Sequence, residues 1–299
     1  MVGSSLRRIK ESIIRNIFFF IGLASIFILT LIVVFLFKES LPIFKVVSIK
    51  EFLFGQYWYP TSEPPEFGIF PMIVASVVVT ILASALAVPL GVLSATYISE
   101  IAKPRVKEII KPVIELLASL PSVVIGFFGM VIVAPFLQET FDISTGLNVF
   151  NASVMLAFMA VPTISSISED ALHSVRRELR EASYALGANR WETISRVVIP
   201  AGLSGIGTAV ILGMSRAIGE TMVVLMVAGG AAAIPESLFD ACRPMPASIA
   251  AEMAEAPYHS DHYHALFATG VVLFLATFVF NLIADYVSNK YKQTGTATL

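Results

Sequence analysis

Charge is scarce in this chain. Of its 299 residues only 14% are Asp, Glu, Lys or Arg, where an average soluble domain carries about 25%. Hydrophobic residues make up 56%. That balance argues against a water-soluble globule and for an integral membrane protein. Net charge is only −2, so nothing suggests bulk electrostatic attraction to nucleic acid. Cysteine occurs once, as Cys242, which excludes an intrachain disulfide. Cys/His spacings of a zinc site are missing. So is the nucleotide-binding pattern G-x-x-x-x-G-K-S/T, so any ATP hydrolysis belongs to another polypeptide.

What the chain does have is long apolar runs. The N-terminus is basic and then apolar, the order of a secretory signal, but a signal's apolar region is only about 7–15 residues. Here the run from Asn16 to Phe37 is of membrane length and no A-x-A site follows, so it reads as an uncleaved span. A bilayer core needs about 20 apolar residues as a helix. Six segments qualify: 16–37, 70–99, 109–136, 149–168, 202–229 and 265–288. Pro89, Pro112, Pro121 and Pro162 fall inside them and read as tolerated kinks. The expected fold is an all-α integral membrane protein with six transmembrane helices. Residues 1–69 would form the N-terminal tail, first span and external loop, and residues 70–299 a core of spans two to six.

Lys and Arg set the orientation. Arg7, Arg8, Lys10 and Arg15 precede span one; Lys103, Arg105, Lys107 and Lys111 follow span two. Arg176, Arg177, Arg180, Arg190 and Arg196 lie between spans four and five, and Lys290 and Lys292 follow span six. Fifteen of the twenty basic residues thus share one side, which predicts both termini in the cytoplasm. The external segments, about 38–69 and 230–264, are long. "SIAAEMAEA" in the second reads as a short surface helix. "YHSDHYH" gathers His259, Asp261, His262 and His264, but the spacing matches no strong metal motif, and polar contacts or no role are the simpler readings.

The loop between spans four and five is too polar to span and too patterned to be slack. Residues 167–186 read as one helix, supported by pairs such as Arg177 with Glu181 at i,i+4. Gly187 sits where a left-handed cap would end it. "ANRWETISRVV" reads as a second short helix stopped by Pro200. Two short helices around a glycine turn would make a compact knob suited to a groove on a partner.

Glu181, Ala182, Ser183, Gly187, Val197, Ile199 and Pro200 resemble the EAA loop of ABC-importer membrane subunits, with Ser183 in place of the second alanine. The resemblance implies a coupling helix seated in a cleft of a cytoplasmic ATPase, which would make Glu181, Ala182, Ser183, Gly187 and Pro200 the coupling residues. "ELLASLPSVVIGFFG", "VPTISSISEDAL" and "GMSRAIGETMVVLMVAGG" further resemble the phosphate-importer permeases, the PstC/PstA family. The ending "MPASIAAEMAEA…HALFATGVVLFLATFVFN" is more similar to PstC. This implies a permease subunit of an ATP-driven phosphate importer in the cytoplasmic membrane, forming half of the anion path. Its implied partners are a PstA-like permease, a homodimeric PstB-like ATPase and an extracytoplasmic PstS-like phosphate-binding protein. The chain itself would be no enzyme and hold no cofactor, with ATP and Mg on the ATPase. Permeases for molybdate or sulfate share the EAA loop and are the nearest alternative, a stand-alone secondary anion transporter the more distant one.

Arg216 and Glu220 interrupt span five. Intramembrane charge costs at least about 2.5–3.5 kcal/mol at a helix centre and so faces a cavity or partner. Arginine's planar fork suits a tetrahedral oxyanion and stays charged. Two readings are open: the pair lines the substrate pathway, or the two side chains, at i,i+4 on one face, neutralise each other. Glu115, near the start of span three, reads as an interfacial side chain that can reach water.

Overall fold

The computed structural model describes the backbone of residues 2–296 and the side chains of residues 11–286. Arg7, Arg8, Lys10, Lys290 and Lys292 therefore lie outside the described side chains. Thirteen α-helices and one small hairpin follow in chain order: α1 Val2–Ser40, α2 Ile49–Phe54, β1 Trp58–Tyr59, β2 Glu66–Phe67, α3 Phe70–Thr96, α4 Pro104–Ala118 and α5 Ser122–Phe128. They continue with α6 Ala134–Phe141, α7 Val149–His173, α8 Arg177–Ala185, α9 Arg190–Thr193, α10 Ile199–Ile218, α11 Met222–Val227, α12 Met245–Glu252 and α13 Asp261–Thr296. β1 and β2 pair antiparallel, Trp58 opposite Phe67.

Among the described residues six helical stretches are long and apolar enough to cross a membrane: Glu11–Lys45, Phe70–Ile101, Ser122–Phe141, Val149–His173, Arg190–Ile218 and Asp261–Tyr286. The expected count holds, but two boundaries move. The third span does not begin at 109. Pro121 has no N–H to continue a helix, so the chain breaks after Ser119, and α4 stands apart as an amphipathic helix. Its Lys107 and Lys111 turn inward onto Glu169 of α7, at 2.5 and 2.7 Å, and Lys111 also meets Asp170 at 2.9 Å. The hydrogen bonds to Glu169 and Asp170 hold the Lys111 ammonium well above the usual lysine range. Ile109, Val113 and Leu116 face outward, and Glu115 is exposed on the same helix. The fifth span, expected over 202–229, stops at Ile218, and α11 starts a separate short helix.

α7 is the axis of the bundle. Asn148 caps it by accepting the Asn151 N–H at 2.9 Å, satisfying one of the free amides at a helix start. Fifteen of its residues are buried, packed chiefly against α3 and α10. Ile164 of α7, fully buried, is pressed by two glycines. A Cβ at Gly91 of α3 would come within 2.7 Å of it, and one at Gly213 of α10 within 2.5 Å. Small residues of this kind let membrane helices approach closely. Gly213→Val should cost about 1–3 kcal/mol by overpacking and lower the melting midpoint of the detergent-purified protein, with Ile164→Ala in the same chain restoring part of the loss. An unchanged midpoint would show that α10 moves aside freely.

Three wide π turns interrupt the spans, at Tyr97–Ile101, Gly129–Val133 and Ile194–Val198. The last one alters the expectation for Pro200. Ile199 donates back to Ile194, so the helix widens just before the proline and continues into α10. Pro200 therefore sits in the first turn of α10, where a missing N–H costs little, and does not stop the helix.

At the end of the bundle remote from α8 and α9, both long loops are folded. Ile43, Phe52, Trp58 and Phe67 of the first pack with Met245 of α12 and with Ala265 and Leu266 of α13. α12 starts earlier than the expected surface helix and is anchored at that start: Met245, Pro246, Ala247 and Ser248 are buried, the residues after Ser248 are partly or fully exposed, and the Met245 N–H donates to Ser76 Oγ of α3 at 2.9 Å. Glu252 joins the two loops, accepting from Trp58 Nε1 at 2.9 Å and from Arg243, with His262 Nε2 at 2.8 Å. His264 Nδ1 meets the Glu39 carbonyl at 2.7 Å, and His259 Nδ1 lies 3.6 Å from the Glu39 carboxylate. The histidines are thus divided between two carboxylates. Burial pushes the Cys242 thiol up to about 12, which keeps it protonated and unreactive.

Candidate functional site

Two regions carry the residues expected to function. The first is the knob between spans four and five. The single helix expected over 167–186 is two: α7 runs to His173, the chain turns through residues 174–176, and α8 follows. The break is held by side chains, since Ser174 Oγ donates to the Ala171 carbonyl. Gly187 adopts φ +86°, the left-handed conformation expected of it, and Ala188 N–H closes back onto the Ser183 carbonyl. Asn189 and Glu192 then form a reciprocal capping box that starts α9.

Inside the knob Ser183 is buried, and its hydroxyl meets Thr193 Oγ1 at 2.9 Å. Serine in place of the family's alanine therefore ties α8 to α9. Glu181 and Ala182 are exposed. The Arg177–Glu181 pair forms at 2.8 Å with both side chains mostly in solvent, so it is worth about 0.3–0.5 kcal/mol at most. The knob also carries outward-facing apolar side chains: Leu186 is 90% exposed, Trp191 64% and Tyr184 47%. An exposed apolar cluster on an otherwise polar loop has the chemistry that a partner's groove can cover.

The second region is the end of α10. Arg216 lies in its last turn, where a cation is favoured by the helix dipole. It is exposed on the chain's surface. Its one described polar contact is a long one, Nη1 to Thr163 Oγ1 of α7 at 3.5 Å. Glu220 lies beyond the helix end and turns away: its carboxylate accepts the Val223 N–H at 3.3 Å, at the start of α11, and lines a small cavity with Ser76, Thr80 and Pro246. The expected i,i+4 relation requires a continuous helix, and α10 ends at Ile218. Among the described residues no carboxylate comes within ion-pair distance, 4.0 Å, of Arg216. Beside it Ser215 Oγ is 2.5 Å from Asn281 Oδ1 of α13, so three spans present polar groups here.

The structure also brings forward residues that sequence reasoning passed over. Glu100, at the end of span two, is paired with Arg180 of α8 at 2.8 Å. The available signal was a lone glutamate closing an apolar run. Its partner is eighty residues away in sequence, so no local pattern announces the pair.

The residues 87–293 match the sequence model of a family described as binding-protein-dependent transport system inner membrane components. The chain is 41% identical to the probable ABC transporter permease protein YqgH of Bacillus subtilis (strain 168), covering 87% of this chain and 85% of that one. It is 36% identical to the phosphate transport system permease protein PstC of Mesorhizobium japonicum over 79% and 77% of the two chains. Solved structures share the fold. A chain of the bacterial alginate ABC transporter, in complex with its alginate pentasaccharide-bound periplasmic protein, superposes with TM-score 0.61 at 14% identity, covering 93% and 96%. A chain of the inward-facing MetNI methionine ABC transporter gives TM-score 0.56 at 20% identity, covering 75% and 94%.

Proposed function

This chain belongs to the family of binding-protein-dependent transport system inner membrane components, and on that premise we propose that it is the PstC-like permease subunit of an ATP-driven phosphate importer. As a permease subunit it works with a second permease, an ATPase and a binding protein. In the proposed assembly these are PstA-like, PstB-like and PstS-like, ATP and Mg stay on the ATPase, and no cofactor resides here. Residues 70–299 form the permease core, and residues 1–69 the tail, first span and external loop. The multi-pass chain lies in the inner membrane with both termini cytoplasmic, which puts α8 and α9 on the ATPase side.

The observation that carries the anion is Arg216: a permanent cation in the last turn of a spanning helix, exposed and, among the described residues, without a carboxylate within 4.0 Å. A guanidinium left open in this way can bind two oxygens of a tetrahedral anion side by side. Thr163 beside it adds a hydroxyl donor, and Glu220, turned onto the start of α11, would line the path further along while leaving the fork free. The exposed face of α10 would meet its counterpart on the second permease, so each subunit would furnish half of the route.

At the other end Leu186, Tyr184 and Trp191 would fill the ATPase cleft, with Glu181 and Ala182 at its rim and Ser183, Gly187 and Pro200 shaping the knob. Closing of the two ATPases would push the knobs and rock the spans. The test is reconstitution of both permeases and the ATPase in liposomes with the binding protein and ATP. Labelled phosphate should accumulate, and sulfate or molybdate in its binding-protein-matched form should not. Accumulation of another oxyanion alone would reassign the substrate, and gradient-driven uptake by this chain by itself would overturn the ABC mechanism.

A further inference from the structure

We propose that Arg180 and Glu100 form a latch through which the coupling knob drives span two directly; this rests on the coupling role assigned above to the knob. By chain connection α8 and α9 pull only on α7 and α10. Span two, α3 with its π turn Tyr97–Ile101, has no covalent link to them. The side chains supply one. The Arg180 guanidinium donates from Nη2 to Glu100 Oε1 at 2.8 Å and, less favourably, from Nε to Oε2 at 3.3 Å. The same guanidinium donates to the Leu172 carbonyl at 2.9 Å and the Val175 carbonyl at 2.5 Å. One cation thereby fastens α8, the end of α7 and the end of span two. Arg190 of α9 donates to the Glu100 backbone carbonyl, so both helices of the knob converge on one residue.

Burial separates this pair from ordinary surface ion pairs. The Glu100 and Arg180 side chains are 11% and 20% exposed, against 62% and 87% for Glu181 and Arg177. A shielded pair with two further donors met by carbonyls is screened little by salt and holds one geometry. Its place in the helix also fits. Glu100 lies inside a π turn, a local widening that recurs at functional positions, and a second π turn, Ile194–Val198, joins the knob to α10. The knob therefore grips span two at one widened turn and continues into span five through another.

The test uses the full reconstituted complex and reads anion taken up per ATP hydrolysed, with phosphate, sulfate and molybdate each offered with its binding protein. Glu100→Gln and Arg180→Gln should each lower that ratio about tenfold while the ATPase still copurifies. The double Gln variant, which leaves no unpaired charge, should be no worse than either single change. In a Glu100→Cys/Arg180→Cys chain, bridging the thiols with a short bis-methanethiosulfonate, which forms a disulfide to each and releases methanesulfinate, should restore the ratio, and a reductant that cleaves those disulfides should abolish it; buried Cys242 stays unlabelled. A ratio equal to wild type in the Gln variants, additive losses in the double variant, or a bridged chain no better than the unbridged one would each overturn the latch. So would failure of every variant to assemble, which would make the pair a folding contact. A wild-type complex that carries sulfate or molybdate in place of phosphate would overturn the substrate assignment alone, because the ratio is then read with that anion.

Discussion

Arg216→Gln should reduce phosphate uptake by the assembled complex about 10- to 100-fold while leaving its assembly and melting midpoint unchanged. The two halves of that expectation have separate grounds. Arg216 is exposed, has no carboxylate within 4.0 Å among the described residues, and touches Thr163 at only 3.5 Å, so its removal breaks little within the chain. A hydrogen bond from a charged donor to an anion is worth about 1.5–3 kcal/mol, which corresponds to roughly 10- to 150-fold in affinity. Arg216→Lys should fall between, keeping the charge and losing the planar fork. Uptake near the wild-type level in Arg216→Gln would reduce the residue to a dipole-matched helix end. A fall in melting midpoint equal to the fall in uptake would make it a packing residue.

Gly187→Val should uncouple transport, and Gly187→Asn should not. The glycine turn at φ +86° costs an L-residue about 1–2 kcal/mol, and a β-branched one more, while asparagine visits this region readily. Size is not the obstacle, because a Cβ at Gly187 meets nothing within 4 Å. The Val variant can escape only by changing the turn, which moves α9 and Trp191 relative to α8 and Leu186. Both the loss of phosphate uptake and the loss of stimulated ATP hydrolysis should then exceed about tenfold, since a knob with two misaligned halves no longer fits one cleft. Equal behaviour of the Val and Asn variants would show that the turn's conformation is not what positions the knob.

Much of this was legible before any coordinates. The count of spans followed from run length, since a bilayer leaves a helix few alternatives. The knob followed from a glycine flanked by helix formers, and the left-handed Gly187 is a local event that neighbouring residues decide; the Asn189–Glu192 box is equally local but went unread. Pro121 also ended a helix for a local reason, but its effect was misjudged because an apolar window is blind to a missing N–H. Pro200 was misjudged the other way, because the π turn Ile194–Val198, five residues long, absorbed what a regular helix could not.

Two readings were open for Arg216 and Glu220, a shared place on the substrate path or mutual neutralisation. The second needs a helix through Gly219, and the i,i+4 rule holds only while the helix lasts. α10 ends where α11 packs instead into α5 and α7, and that packing depends on Met226 lying against Gly126, a hundred residues earlier. Likewise Glu100 is unremarkable until the fold lays Arg180 over it. By itself the sequence determined what depends on near neighbours and on the solvent: apolar length, the glycine turn and the resemblance to importer permeases. Only the tertiary structure decided which charges meet and which stay open. Buried ion pairs and close helix contacts are formed by residues distant in the chain, and their energies depend on distance and burial, which no local pattern of residues records.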